Sequence, residues 1–427
     1  MKIMWLCNVI PLPEIADDLG LPRPIVGGWL NGLAEGIRGE PSVELSVAFP
    51  IVGRTVRSGR AGGIAYYGFP VPRRWPLLPI TDECDTSPRL RRILKSILES
   101  VQPDLLHVFG TEYGHALLAA QAFGRPERTL VHIQGLTSII ARHFLGSLPC
   151  STRRRFAISN LIRGSLGQQV KRLSQRGLLE RETFMSVGHV AGRTEWDQAC
   201  TQLLAPHAKY HYCSEVLRPC FYEAKWTYEA CEKHSILTTQ GGNPLKGFYY
   251  LLEALPTIIN RFPSAHVYVA GTDPIGGQSI AAWAKRSAYG GYLRSLIDKY
   301  RLHSRVTFLG PLSEEEMCGQ MLRAHVFVST STIENSSNAL CEARLLGVPA
   351  VSSFVGGLPS IVHHGADGFV YQHDAPYMLA HYVGELFSRT NLAQGFSDTA
   401  RARAILLHDP GDVVNQQLRI YSEMSES

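Results

Sequence analysis

The sequence predicts an α/β protein built from two doubly wound units in succession. Three observations support this. Short apolar runs alternate with helical patterns along the chain. The alternation restarts once, after a stretch without clear period at about 205–232. The 427 residues exceed what one core usually holds, about 250–300 residues.

The first unit opens with an apolar run, Ile3 to Val9, then a loop holding Gly27-Gly28 and a helical pattern near 28–38. Runs at 43–51, 63–69, 104–109, 129–133 and 186–191 follow as strands, with helical patterns at Leu90–Val101 and His115–Phe123. In the second unit, strands are expected at 235–239, 266–271, 306–309, 325–329 and 349–353. Helical patterns lie at 247–262, 294–300, 314–324 and 339–346, and a last helical segment covers about 398–424. The expected domains are 1–205, 206–395 and a helical tail, 396–427, that packs back on the first domain.

Composition excludes several classes. Hydrophobic residues make up 45% and charged residues 19%, an ordinary globular balance. No apolar run reaches the roughly 18 residues of a membrane-spanning helix. The nine cysteines are odd in number and hold no C-x-x-C, against a disulfide framework or a zinc site. The N-terminus, with Asn8 interrupting its apolar stretch, reads as a first strand rather than a signal peptide. These features point to a cytoplasmic protein.

The net charge of +5 is unevenly placed. Segment 142–179 carries Arg142, Arg153, Arg154, Arg155, Arg163, Lys171, Arg172 and Arg176 and no acid, so the remainder is slightly acidic. Ile158, Ile162, Leu166, Val170 and Leu173 recur at helical spacing within it. Two readings stand: a surface helix packed on a core, or a contact with anionic lipid headgroups or a lipid-diphosphate acceptor at the inner face of the membrane. Nothing supports nucleic acid, since no aromatic residues interleave with the cations.

The strongest chemical signal follows the strand 325–329. Glu334 and Glu342 lie eight residues apart in Glu334-Asn335-Ser336-Ser337-Asn338-Ala339-Leu340-Cys341-Glu342. The first is in a polar loop at the carboxyl end of a strand, where open α/β sheets bind ligands. The second is one turn into the next helix, whose N-terminal N–H groups attract phosphate. A solvated loop acid and a charge complementing the helix dipole are the alternatives. Downstream stand Gly356-Gly357-Leu358-Pro359 and Gly365-Ala366-Asp367-Gly368-Phe369-Val370.

This order resembles the donor signature of the retaining family 4 glycosyltransferases, strongly over 235–372 and more thinly over 1–200. The resemblance implies a GT-B fold, with two Rossmann-like domains facing a central cleft. It also implies transfer of a hexose-type sugar from a nucleotide diphosphate sugar to a hydroxyl acceptor, a glycan or lipid-linked intermediate of surface polysaccharide assembly. The alternative is a non-catalytic sugar-nucleotide-binding partner in such an assembly. A dinucleotide oxidoreductase or epimerase would want G-x-G-x-x-G after the first strand, which is missing.

By the same resemblance, Glu342 accepts hydrogen bonds from ribose hydroxyls and Glu334 holds hydroxyls of the donor sugar. Gly356 and Gly357 bring backbone close to the donor, and Asn335, Asn338, Ala339 and Leu340 line it with backbone amides. This chain has Asn-Ser-Ser-Asn where many relatives have Gly-Phe-Gly. Lys246, after Gln240-Gly241-Gly242-Asn243-Pro244-Leu245, is either an exposed loop lysine or the diphosphate contact. The family's Arg is replaced by Gly241, so one cation of the clamp must come from elsewhere. In the first half, Gly27 and Gly28 match the glycine loop facing the diphosphate. His132 matches the histidine close to the transferred sugar, a catalytic position, while His107 reads as core. Arg193, in Gly192-Arg193-Thr194, is a candidate for the missing phosphate contact. No D-x-D occurs, which argues for metal independence, with Lys246, helix N-termini and loop amides supporting the leaving diphosphate. No cofactor is implied beyond the nucleotide sugar itself.

Overall fold

The computed structural model describes residues 1–23, 27–71, 73–75, 78–81, 83–155, 157–160, 164–277 and 286–426. The chain forms two compact units. The first comprises Met1–Ile139, Arg172–Arg218 and His408–Ser427; the second comprises Ile140–Lys171 and Pro219–Leu407.

The first unit holds β1 (Lys2–Leu6), β2 (Glu44–Val52), β3 (Arg57–Ala61) and β4 (Ile64–Val71). A two-stranded antiparallel ribbon follows, β5 (Arg73–Trp75) and β6 (Leu78–Thr81). Then come β7 (Leu105–Phe109), β8 (Thr129–His132), β9 (His189–Gly192) and β10 (Lys209–Tyr212). Apart from the ribbon they make one sheet in the order β10-β9-β8-β7-β1-β2-β4-β3. It is parallel except for β3, an exposed edge strand carrying Arg57 and Arg60. Alternation along β1 sends Ile3 and Trp5 into one apolar layer and Met4 and Leu6 into the other.

The second unit has β11 (Glu232–Thr239), β12 (His266–Ala270), β13 (Val306–Gly310), β14 (Ala324–Ser329), β15 (Ala350–Ser353) and β16 (Phe369–Tyr371). All pair in parallel in the order β13-β12-β11-β14-β15-β16. Every residue of β14 is buried, as a central parallel strand requires.

Each sheet reverses its strand order once. In the first the chain winds outward one way from β1 and the other way from β7, which are neighbours. In the second the corresponding neighbours are β11 and β14. The crevice beyond the carboxyl ends of such a pair is where open α/β sheets bind ligands.

The structure differs from the sequence expectations at three places. The first unit does not run unbroken to 205: residues 140–171 belong to the second unit, and the crossing back lies at 218/219. The tail is two helices, Thr390–Leu407 and Pro410–Glu426, because Pro410 cannot continue the first. Thr390–Leu407 stays with the second unit, whereas residues 408–427 join the first. Within the latter, the Tyr421 hydroxyl accepts from Trp5 Nε1 at 2.9 Å and meets His107 Nδ1 at 2.6 Å.

Third, the apolar set 158–173 is not one helical face. The helix begins at Leu166, after Gly164 with φ +81° and a capping box. In that box Gln168 N–H donates to Ser165 Oγ at 3.2 Å and Ser165 N–H donates to Gln168 Oε1 at 2.8 Å. Ile158 lies outside that helix and is exposed; Ile162 and Arg163 lie outside the described residues. Among the described residues no helix is long and apolar enough to cross a membrane.

Candidate functional site

Lys246 and Glu334 meet at the switch point of the second sheet. Lys246 closes a 3-10 turn, Pro244–Lys246, after β11, and Glu334 lies in the loop after β14. Their side chains form an ion pair, both largely buried, with the Ser331 hydroxyl donating to Glu334 Oε2 at 3.3 Å. Backbone contacts hold the two loops together. Thr330 Oγ1 donates to the Lys246 carbonyl at 2.7 Å and Thr332 N–H to the Leu245 carbonyl at 2.8 Å. Gly247 (φ +61°) is needed there, because a Cβ would run into the Thr330 carbonyl.

The helix Asn338–Leu346 follows directly. Ser337 gives its N-terminus no side-chain cap. The first turn, Asn338, Ala339 and Leu340, therefore presents N–H groups that the helix itself does not use. Asn335 and Glu342 are buried beside it. The Gly-Gly turn has a neighbour that the sequence did not reveal. Gly356 (φ +50°) packs on the Glu334 backbone carbonyl, which Gly357 N–H also bonds at 3.0 Å. Its missing Cβ makes room for protein backbone at Glu334.

Behind this loop the end of the signature is clamped. Arg344, from the same helix, makes a two-pronged contact with buried Asp367: NH1 to Oδ1 at 3.1 Å and NH2 to Oδ2 at 2.9 Å. Arg403 NH1 adds a bond to Oδ2 at 2.7 Å and His363 N–H one to Oδ1 at 2.8 Å.

In the first unit, His132 ends β8 and is 1% exposed, with neither ring nitrogen hydrogen-bonded. Burial, with the nearby Arg193 charge, pushes its pKa down to about 3, so the ring is neutral at pH 7. Gln134 Nε2 and Arg193 Nε are also buried without a hydrogen-bond partner. Arg193 departs from its expected role as a free phosphate contact. Its guanidinium is 5% exposed and neutralised by Glu215 at 2.5 Å, with a further bond to the Ile133 carbonyl at 3.4 Å. His107 is core, as the sequence suggests.

Gly27 (φ +86°) and Gly28 start the helix Gly28–Arg38 without a side-chain cap. A Cβ on Gly28 would lie 2.7 Å from Cγ of Arg218. Arg218, which the sequence did not single out, thus lays its aliphatic stem against the glycine loop.

A second group missed from sequence sits at the first sheet's switch point, beyond β1 and β7. Asn8 Nδ2 donates to Glu112 Oε2 at 2.9 Å, and Asn8 Oδ1 meets His115 Nε2 at 2.9 Å. Arg176 binds the Glu112 carbonyl and Glu83 Oε2, the latter at 2.8 Å. Neither Glu112 nor Asn8 stands in a short motif, so spacing could not single them out.

Three of the basic segment's described cations have partners within their own unit. Arg153 bonds the Leu148 and Gly146 carbonyls, Arg155 lies against Gly291, and Arg176 is held by Glu83 and Glu112.

Comparison with known proteins bears on the fold and the family of the second unit. Residues 234–389 match the family model described as Glycosyl transferases group 1, so the second unit carries a domain of that kind. A D-inositol 3-phosphate glycosyltransferase of Streptomyces griseus is 29% identical over 161 residues, 38% of this chain and 33% of that protein. The chain thus matches about a third of the length of this curated relative. Over the whole chain, a sucrose-phosphate synthase from Thermosynechococcus elongatus aligns with a TM-score of 0.72 at 15% identity, covering 99% of both chains. HepE of Anabaena in complex with UDP-glucose aligns with a TM-score of 0.64 at 18% identity, covering 99% of this chain and 100% of that one. The fold is that of the GT-B glycosyltransferases, two α/β domains with parallel sheets.

Proposed function

We propose that the protein is a retaining glycosyltransferase that moves a hexose-type sugar from a nucleotide diphosphate sugar to a hydroxyl acceptor, a glycan or lipid-linked intermediate. The observation that carries this is the Lys246–Glu334 pair at the switch point of the second sheet, inside the matched region. In the structure each charge neutralises the other. An incoming donor separates them: Lys246 turns to the diphosphate oxygens and Glu334 accepts from sugar hydroxyls. Glu342 accepts from the ribose diol, and the N–H groups of 338–340 take phosphate oxygens.

As the sugar–phosphate bond breaks, negative charge grows on the departing diphosphate. Lys246 and the helix N-terminus are already aimed at it, so little reorganisation is needed. These groups supply the positive charge that a divalent cation would otherwise bring, and the reading is therefore metal-independent. In the first unit, neutral His132 offers a ring N–H to a ligand hydroxyl.

The test is donor turnover by Lys246→Ala and Glu334→Gln against UDP-, GDP- and ADP-sugars, with chelator present. Lys246→Ala should weaken nucleoside diphosphate binding by about tenfold or more. Glu334→Gln should leave nucleoside diphosphate binding nearly unchanged and lower turnover by about 100-fold. Turnover near wild type in both variants removes the assignment, and loss of wild-type turnover with chelator removes metal independence.

A further inference from the structure

Among the described residues, the excursion of the chain through 140–171 meets the loops that carry Lys246 and Glu334 at His143–Ser147. After the helix Thr137–His143, residues His143–Ser147 bond Thr332 and the first turn of the helix Phe248–Arg261, through Tyr249 and Tyr250. The contacts are polar and specific. The Thr332 hydroxyl is shared between the His143 carbonyl at 2.9 Å and the Leu245 carbonyl at 3.2 Å. Ser147 N–H donates to the Tyr249 hydroxyl at 3.0 Å, and the Tyr250 hydroxyl donates to Ser147 Oγ at 2.9 Å.

Two features make this strap a fixed part rather than a passing contact. Gly146 sits at φ +48°, and a Cβ there would collide with the Tyr249 hydroxyl and lie 2.6 Å from the Thr332 methyl. Only glycine fits, for both conformation and space. Arg153 then staples the turn, donating from Nε to the Leu148 carbonyl at 2.7 Å and from NH2 to the Gly146 carbonyl at 3.0 Å. A cation that the sequence offered to lipid is spent on holding the strap.

Thr332 is two residues from Glu334, and its bonds to Leu245 fix the residue before Lys246. We infer that the strap His143–Ser147, acting through Thr332, positions the Lys246 and Glu334 loops, with Gly146, Ser147 and Thr332 as positioning residues for the donor. This rests on the reading of Lys246 and Glu334 as donor contacts. A displacement of about 1 Å at such a site can cost about 100-fold in rate.

The experiment has two arms. The first is amide hydrogen exchange on Gly146→Ala and Thr332→Val, read at the Thr332 amide, which bonds the Leu245 carbonyl. The Phe327 amide, bonded to the Pro349 carbonyl, is the control for the unit's fold. The expectation is about tenfold or faster exchange at 332 with Phe327 unchanged, a local opening rather than global unfolding. Should Gly146→Ala not fold, Thr332→Val alone decides this arm.

The second arm is donor turnover, with UDP-glucose as the first probe and the other nucleotide sugars after it. Thr332→Val should lower kcat by about tenfold or more, while Thr332→Ser, which keeps the hydroxyl, stays within about twofold of wild type. Wild-type protection at 332 in the folded variants overturns the proposal. So does lost protection with full turnover, or equal turnover loss in the Ser and Val variants. If wild-type protein turns over no donor, the functional reading falls, and the exchange arm alone upholds or overturns the strap.

Discussion

Gly356 rests against the backbone carbonyl of Glu334, at φ +50°, with no room between them for a Cβ. The Gly-Gly turn thereby sets where the Glu334 loop sits, and Gly357 N–H locks that position at 3.0 Å. Gly356→Ala should push the loop off its partner. The expected result is a stability loss of about 1–3 kcal/mol from backbone strain, with a fall in donor turnover of about 10–100-fold. Urea unfolding and initial-rate kinetics measure the two separately. Unchanged turnover would detach the turn from the site.

The positions of Glu334, Lys246 and Glu342 near the second sheet's switch point were legible in the sequence because each sits in a short run with its own logic: strand, polar loop, helix start. The same holds for the central strands, whose runs are predominantly apolar. The edge strands β3 and β10 of the first sheet were missed, since they have exposed or partly polar surfaces that carry no strong period. The division into units was only partly legible. A chain that leaves one unit at 139 and returns at 172 does so through tertiary contacts such as Thr332 with His143, which no local spacing encodes. Arg193 followed the motif in its position, but its charge is answered by Glu215, 22 residues on. Arg153 is an exposed cation, as the sequence suggests, but its bonds to the Leu148 and Gly146 carbonyls are set by the fold of the strap.

The Arg344–Asp367 clamp predicts an acid limit for the second unit. Burial alone would raise the Asp367 carboxyl. The hydrogen bonds and charge of Arg344, with Arg403, outweigh it and hold Asp367 below its usual value. A carboxyl with a depressed folded-state pKa adds stability above its unfolded value, about 3.9, and that stability is lost as pH falls through the lower folded value. Arg344→Met leaves Asp367 buried with the half-exposed Arg403 as its remaining guanidinium. At pH 7 this should cost about 3–5 kcal/mol. The gap between variant and wild type should narrow below about pH 4, where the carboxyl begins to protonate. Urea midpoints at pH 7 and pH 3.5 measure it, and a gap that is constant across that range would refute the clamp.

Glu112 predicts the opposite trend at the first sheet's switch point. Burial pushes its carboxyl up to about 7, with the Glu180 charge adding to the rise. Its own backbone N–H, the Arg176 charge and the Asn8 bond pull the other way without cancelling it. A raised folded-state pKa means that the stabilisation is complete below the unfolded value of 4.5 and is lost as pH rises through about 7. Glu112→Gln keeps an acceptor for Asn8 and cannot ionise. The variant should therefore gain on wild type as pH moves from 5 to 7.5. The gain should be about 1–3 kcal/mol after allowance for partial exposure, read as a widening difference in thermal midpoint. The group faces His115 through Asn8, and Tyr113, Arg176, Glu180 and Glu83 surround it. Burial keeps His115 neutral, with its pKa pushed down to about 3, so it does not titrate in this window. Parallel curves for Glu112→Gln and wild type from pH 5 to 7.5 would show that the carboxyl is ionised throughout and that the switch point holds an ordinary surface acid.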